Sequence, residues 1–149
     1  DVMFPSSAEL VEIMERTTGA TQPRAGKVAS GARIVAMGDL ARQVPIAPHV
    51  SEYIAQLVIA THPDADEAPP SVRQFVRYGS SPRGGQAIVL GAKVNALLDG
   101  RYNVAYDDVA AVAGAALRHR VILNFEGQAE GIAPDVVIAD LLAHVSPGD

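Results

Sequence analysis

Along most of this chain, apolar residues recur at helical spacing, separated by short polar breaks rich in Gly and Pro. Leu10, Ile13 and Met14 make the first stripe. Ser6 and Glu9 stand ahead of it at capping-box spacing, and Gly19 is a natural stop. Ser30 is placed to cap a second helix running to about Gln43, with Ile34, Met37, Leu40 and Ala41 on one side. Pro45 and Pro48 bracket an extended link. A third helix follows, with Val50, Tyr53, Ile54, Leu57 and Val58 spaced i, i+3, i+4, i+7, i+8. The fourth is predicted from Pro82 to about Asp99, before Gly100, with Ile88, Leu90, Gly91, Val94, Leu97 and Leu98 as its buried face. The fifth runs from about Tyr106 to Arg118 on Val109, Val112, Ala113, Ala116 and Leu117. Pro134 opens the last, which carries Val137, Ile138, Leu141 and Leu142 on one face.

Between these stripes, residues 1–5 read as an extended lead-in, and residues 20–29 and 62–77 read as loops, with a short helical turn at Val72–Val76. Arg120–Phe125 is the one strand-like run, and no partner strand is evident for it. The pattern predicts an all-α fold, a single domain over residues 1–149 with about six helices and no internal repeat. Ala105 and Ala133 fall at expected N-cap positions, where alanine forgoes roughly 1 kcal/mol relative to Ser, Thr or Asp. Tertiary packing is expected to hold those two helix starts.

Composition narrows the function classes. A chain of 149 residues fits one domain, or at most two small ones, and 48% hydrophobic content is enough for a real core. Aromatics are 5% and Trp is absent, so that core is built of Ala, Val, Leu and Ile. A net charge of −5 argues against gripping nucleic acid through bulk basicity. With no cysteine there is neither a disulfide nor a thiolate metal site, and a reducing, cytoplasmic setting is expected. No apolar run approaches the ~20 residues of a membrane span. The opening Asp-Val-Met-Phe-Pro-Ser has no signal-peptide character and reads as a piece of a longer protein.

Candidate chemistry centres on Ser81-Pro82-Arg83 within Tyr78-Gly-Ser-Ser-Pro-Arg-Gly-Gly85. Ser81 is a good N-cap and Pro82 suits the first helical position, so Arg83 lies where free N–H groups and the helix dipole already favour an anion. A surface arginine after an ordinary cap is the competing reading. His49, His62, His119 and His144 are not spaced as metal ligands. Asp107-Asp108 reads as dipole partners at a helix start, and Arg118-His119-Arg120 as cations at a helix end. Neither Gly-x-x-x-x-Gly-Lys-Ser/Thr nor Gly-x-Gly-x-x-Gly is present, nor an acidic pair for magnesium, so no hydrolytic machinery is encoded in this stretch.

Gly79-Ser-Ser-Pro-Arg-Gly84, Gly100-Arg-Tyr-Asn-Val104, Asp107-Asp-Val109 and His119-Arg120 occur in that order, preceded by Val44-Pro-Ile46 and Tyr53-Ile54. Together they resemble the C-terminal helical lid of MoxR-type AAA+ ATPases, and Val2 to Ser6 resembles the junction between ATPase core and lid. The chain departs from the family's pattern at His62, where Arg commonly follows Thr61, at Asn103, and at Ala105 in place of a Thr or Ser cap. Its 62–77 segment is also longer than in many members.

The resemblance implies that Arg83 is the sensor-2 arginine touching the γ-phosphate, with Ser81 and Pro82 beside it in the nucleotide site. It further implies ATP and Mg2+ as cofactors of a parent protein whose core lies before Asp1. Its partners would be that core, neighbouring subunits of a ring, expected to be a homo-hexamer, and von Willebrand A-domain proteins, in a chaperone-like assembly or maturation role. Nucleic acid and membrane partners are not expected. The alternative is a helical protein- or DNA-binding module presenting Arg101, Arg118 and Arg120.

Overall fold

The computed structural model describes residues 3–21 and 24–146. Positions 1–2, 22–23 and 147–149 lie outside the described residues, and with them the start of the expected 2–6 junction and part of the 20–29 loop. The chain divides into two compact units, Asp1–Ile34 and Val35–Asp149.

The first unit holds α1 (Ser7–Thr18). Its capping box forms as expected: the Ser6 N–H donates to Glu9 Oε2 at 2.7 Å, and the Glu9 N–H donates to Ser6 Oγ at 3.4 Å. The Ser6 hydroxyl also donates to Glu9 Oε2 at 2.7 Å, and this bond first, then the Ser6 N–H, holds the Glu9 carboxyl below its usual range. Its stripe of Leu10, Ile13 and Met14 is exposed. α2 (Gly31–Gln43) spans the unit boundary and starts where expected, with the Arg33 N–H donating to Ser30 Oγ at 3.2 Å. Ile34, Met37 and Leu40 are also exposed, and only Ala41 of that stripe is buried.

The second unit is built from α3 (Pro48–Ala60), α4 (Pro70–Phe75), β1 (Val76–Tyr78), α5 (Pro82–Leu98), α6 (Tyr106–Leu117), β2 (Ile122–Leu123), α7 (Phe125–Ala129) and α8 (Pro134–His144). Helices dominate, as the periodicity predicts. The expected buried faces of α3, α6 and α8 are realised in Val50, Tyr53, Ile54 and Leu57, in Val109, Ala113, Ala116 and Leu117, and in Val137, Ile138 and Leu141. Tyr53 meets Tyr106 edge to face with ring centroids 5.2 Å apart, joining α3 to the start of α6.

Three expectations are corrected. First, the strand-like run after Arg120 does have a partner: β2 pairs antiparallel with β1, Val76 opposite Leu123 and Tyr78 opposite Ile122. A two-stranded ribbon this short carries almost no period, so only its burial against the helices, through Val76 and Leu123, gives it away.

Second, the 62–77 segment is more than a loop: α4 stands where the short helical turn is expected, and the unexpected β1 begins at Val76. Arg73 ties its open part down, donating to the carbonyls of Ala68 at 3.0 Å, Ala65 at 2.9 Å and Asp66 at 3.0 Å. α7, also unforeseen, is a single turn capped by Asn124, whose Oδ1 accepts from the Gly127 N–H at 2.9 Å.

Third, the buried face of α5 is Gly84, Ile88, Ala92 and Ala96, while Leu90, Val94 and Leu98 are 37%, 42% and 79% exposed. α5 packs tightly on α6, and small residues let the two backbones approach. A Cβ on Gly91 would sit 3.2 Å from the Val112 side chain. A count of hydrophobic residues undervalues such a stripe.

Candidate functional site

The site is built on the first turn of α5 and the loop that delivers it. Ser81 has the extended backbone of an N-cap, and Pro82 and Arg83 are the first two helical residues. The capping bond expected of Ser81 is absent: its side chain caps nothing, and the Gly84 N–H instead donates to the Ser81 carbonyl at 2.8 Å.

What fixes the helix start is the preceding residue. Ser80 is fully buried, and its N–H donates to Thr61 Oγ1 at 2.8 Å. The Thr61 hydroxyl in turn donates to the Val58 carbonyl at 2.6 Å, at the end of α3. Gly84 closes over Ser80 so tightly that an added Cβ would lie 2.0 Å from Ser80 Oγ and 3.0 Å from Leu117 Cδ2. A Cβ on Gly79 would fall 2.7 Å from Thr61 backbone atoms and from His62 Cγ. Sequence reasoning missed Thr61, Ser80 and both glycines as parts of this site. Their signal was two glycines flanking the Ser-Ser-Pro-Arg run, which need close approach rather than a nucleotide loop.

Arg83 itself is exposed, and among the described residues it makes no hydrogen bond or ion pair. One turn further along the same face, Gln86 begins an open groove of about 550 Å³ lined also by Val89, Leu90, Lys93 and, from the end of α2, Arg42. Lys93 Nζ donates to the Arg42 carbonyl at 2.9 Å across it. The first turn of α5 therefore presents an exposed guanidinium at a helix N-terminus, while the cations of the groove lie further along the helix, with Lys93 already bonded to Arg42. A guanidinium at a helix N-terminus suits a phosphate group.

The other cations behave differently. α5 ends on Gly100, with φ of 71°, where the Gly100 N–H donates to Leu97 O at 3.0 Å and the Arg101 N–H to Ala96 O at 2.8 Å. That turn sends Arg101 back onto Asp108, with Nη1 donating to Oδ2 at 2.8 Å and Nη2 to Oδ1 at 2.6 Å, and Nη2 also reaches Asp99 at 2.8 Å. Asp108 is 3% exposed. The Arg101 bond first, then the Ala105 N–H, hold its carboxyl below the usual range against the effect of burial. Arg101 is correspondingly held above its own ordinary range.

The Ala105 N–H donates to Asp108 Oδ2 at 2.8 Å, so the α6 start expected to rest on packing alone receives half a capping box. Asp108 is thus a buried anchor rather than a mere dipole partner. Arg118 pairs with Asp135 at 2.8 Å, and Arg120 donates to the Ala116 carbonyl at 2.5 Å. All three arginines of the binding-module alternative are engaged within the fold.

Comparison with known proteins bears on the whole chain. The AAA lid domain family matches residues 71–141. Over 146 residues the chain is 31% identical to the chaperone MoxR1 of Mycobacterium tuberculosis, covering 98% of this chain and 38% of that protein. Over 68 residues it is 37% identical to protein MoxR of Paracoccus denitrificans, covering 44% of this chain and 20% of that one. The crystal structure of a Cytophaga hutchinsonii protein assigned as an ATPase superposes with a TM-score of 0.80 at 27% identity, over 99% of this chain and 45% of the other. The chain thus spans less than half the length of these relatives. Its ordered motifs, its helical fold and these likenesses together show that the chain belongs to the lid domains of MoxR-family AAA+ ATPases.

Proposed function

We propose that this chain is the nucleotide-responsive lid of an ATPase, and that Arg83 reads the γ-phosphate of ATP when the lid closes on an ATPase core. The observation that carries the reading is Arg83 itself, an exposed guanidinium without a partner among the described residues, on a helix start held in place by buried neighbours. A fixed helix N-terminus supplies a positive field, and a planar fork matches phosphate oxygens. Phosphoryl transfer depends mainly on positioning and charge stabilisation, so an arginine of this kind both detects the third phosphate and lowers the barrier. Ser81 and Pro82 line the approach to that phosphate. The start of α5 offers no carboxylate, so a magnesium ion accompanying the nucleotide would be held by the core. The parent protein would assemble into a ring, a homo-hexamer in the simplest case, with a chaperone-like role in assembling or maturing other proteins. Von Willebrand A-domain proteins are its proposed partners, and the cytoplasm its proposed location.

The test is steady-state ATP hydrolysis by the full-length protein carrying Arg83→Ala. Turnover should fall by roughly 10- to 1000-fold, the range for loss of one charge-stabilising donor, with the lid still folded. A wild-type rate would return Arg83 to an ordinary surface residue.

A further inference from the structure

The turn ahead of Arg83 has a second anchor at the end of α3. His62 Nε2 lies 3.0 Å from the Ser80 carbonyl oxygen. A carbonyl can only accept, so Nε2 carries the hydrogen. The neighbouring Thr61 accepts from the Ser80 N–H at 2.8 Å. Consecutive residues of α3's end thus hold the peptide planes on both sides of the Ser80 Cα. The plane held by His62 is the one that enters Ser81, and it sets the direction in which α5 begins. Gly79 lets this happen, since a Cβ there would collide with His62 Cγ at 2.7 Å. Ser81 makes no capping bond of its own, so the aim of the first turn rests on these outside contacts.

We infer that His62 is a positioning residue: through the Ser80 carbonyl it aims the first turn of α5, and with it the Arg83 guanidinium. The inference rests on the reading of Arg83 as a phosphate contact. Its physical basis is leverage. A small rotation of the Ser80–Ser81 plane tilts the start of the helix, and the long arginine side chain magnifies that tilt at its tip. A misplacement of about 1 Å in a catalytic constellation is enough to slow turnover by as much as ~100-fold. His62 is itself exposed, so its ring contributes little to the core and its effect on aim is separable from stability.

The experiment compares His62→Leu, His62→Gln, Arg83→Ala and the double variant His62→Leu/Arg83→Ala in the full-length protein, by ATP turnover and by thermal melting. His62→Leu removes the donor and should lower kcat about 5-fold through misaim of the guanidinium, with a melting temperature lowered by only a few degrees for the one hydrogen bond lost. His62→Gln puts an amide N–H near the position of Nε2 and should restore most of the rate. On the Arg83→Ala background His62→Leu should change nothing further, because there is no guanidinium left to aim.

Wild-type turnover of His62→Leu beside a slow Arg83→Ala would overturn the inference and leave the Arg83 reading standing. An additive loss in the double variant would overturn it too, by showing that His62 acts elsewhere. Wild-type turnover of Arg83→Ala would remove the underlying reading and this inference with it. Should His62→Leu fail to fold, the wild-type protein still decides: a nitrogen-15 spectrum showing His62 protonated at Nδ1 alone would break the Ser80 bond and the inference.

Discussion

Arg83 and Arg101 flank the same helix, one at the start of α5 and the other just past its end, and their surroundings are opposite. Arg101 is drawn into a fork on the buried Asp108 with Asp99 alongside, and its charge is consumed in joining the end of α5 to the start of α6. Among the described residues Arg83 has no carboxylate partner, and its helix start is anchored through Ser80, Thr61 and Gly84. The first is an arginine used as a structural clasp. The second is an arginine held in place by others and left available. A cation with its partners supplied by the fold has little left to offer a ligand, while a fixed cation without them has its full charge to offer.

Lysine substitution should break this pair apart most sharply. Arg83→Lys in the full-length protein should turn ATP over much nearer to Arg83→Ala than to wild type, a loss of roughly 10-fold or more, with the melting temperature little altered. Near-full activity with lysine would reduce Arg83 to a general electrostatic role and erase the contrast.

At the Arg101 end the effect should appear in stability instead. Asp108→Ala removes the anchor and the bond to the Ala105 N–H, and should cost about 2 kcal/mol, read by chemical denaturation. Its carboxyl has a lowered pKa in the fold, so its stabilisation is complete above the ordinary aspartate value of 3.8 and fades as pH falls through the lower folded value. Wild type should therefore lose stability on acidification below that point more steeply than Asp108→Ala. Parallel acid profiles would show that the pair contributes nothing to folding.

The adjacent glycines sharpen the Arg83 side. Gly84→Ala drives a methyl into Ser80 and Leu117 and should destabilise by about 1–3 kcal/mol. Gly85→Ala meets only Val58 at 3.4 Å and Ile54 at 3.7 Å and should be neutral or stabilising by up to about 1 kcal/mol. Equal melting temperatures for the two variants would mean that Ser80 is not clamped as described. Smallest of all, Arg118→Ala breaks an exposed pair with Asp135 and should shift stability by less than about 1 kcal/mol. A larger loss would make Arg118 a second clasp like Arg101.

Local signals sufficed for much of this molecule. The capping box at Ser6 and Glu9, the helix stop at Gly100 and the buried stripes of α3, α6 and α8 all follow from bonds and spacings within one or two turns. So does the placing of Arg83 at a helix N-terminus, because Pro82 can only begin a helix there. Tertiary structure decided the rest, for reasons that lie in distance along the chain.

Thr61 and Ser80 meet across the α4 segment, and no local period links them. β1 and β2 recognise each other across two helices, and neither is long enough to alternate visibly. Periodicity says which face of α5 is apolar, but the approach of α6 determined that Gly84, Ala92 and Ala96 would be buried and that Leu98 would not. The sequence likewise marks apolar stripes on α1 and α2 without the surface that would cover them. Arg83 and Arg101 look alike as residues beside helix ends, and only the fold made them different, by placing Asp108 against one while the other meets no carboxylate among the described residues.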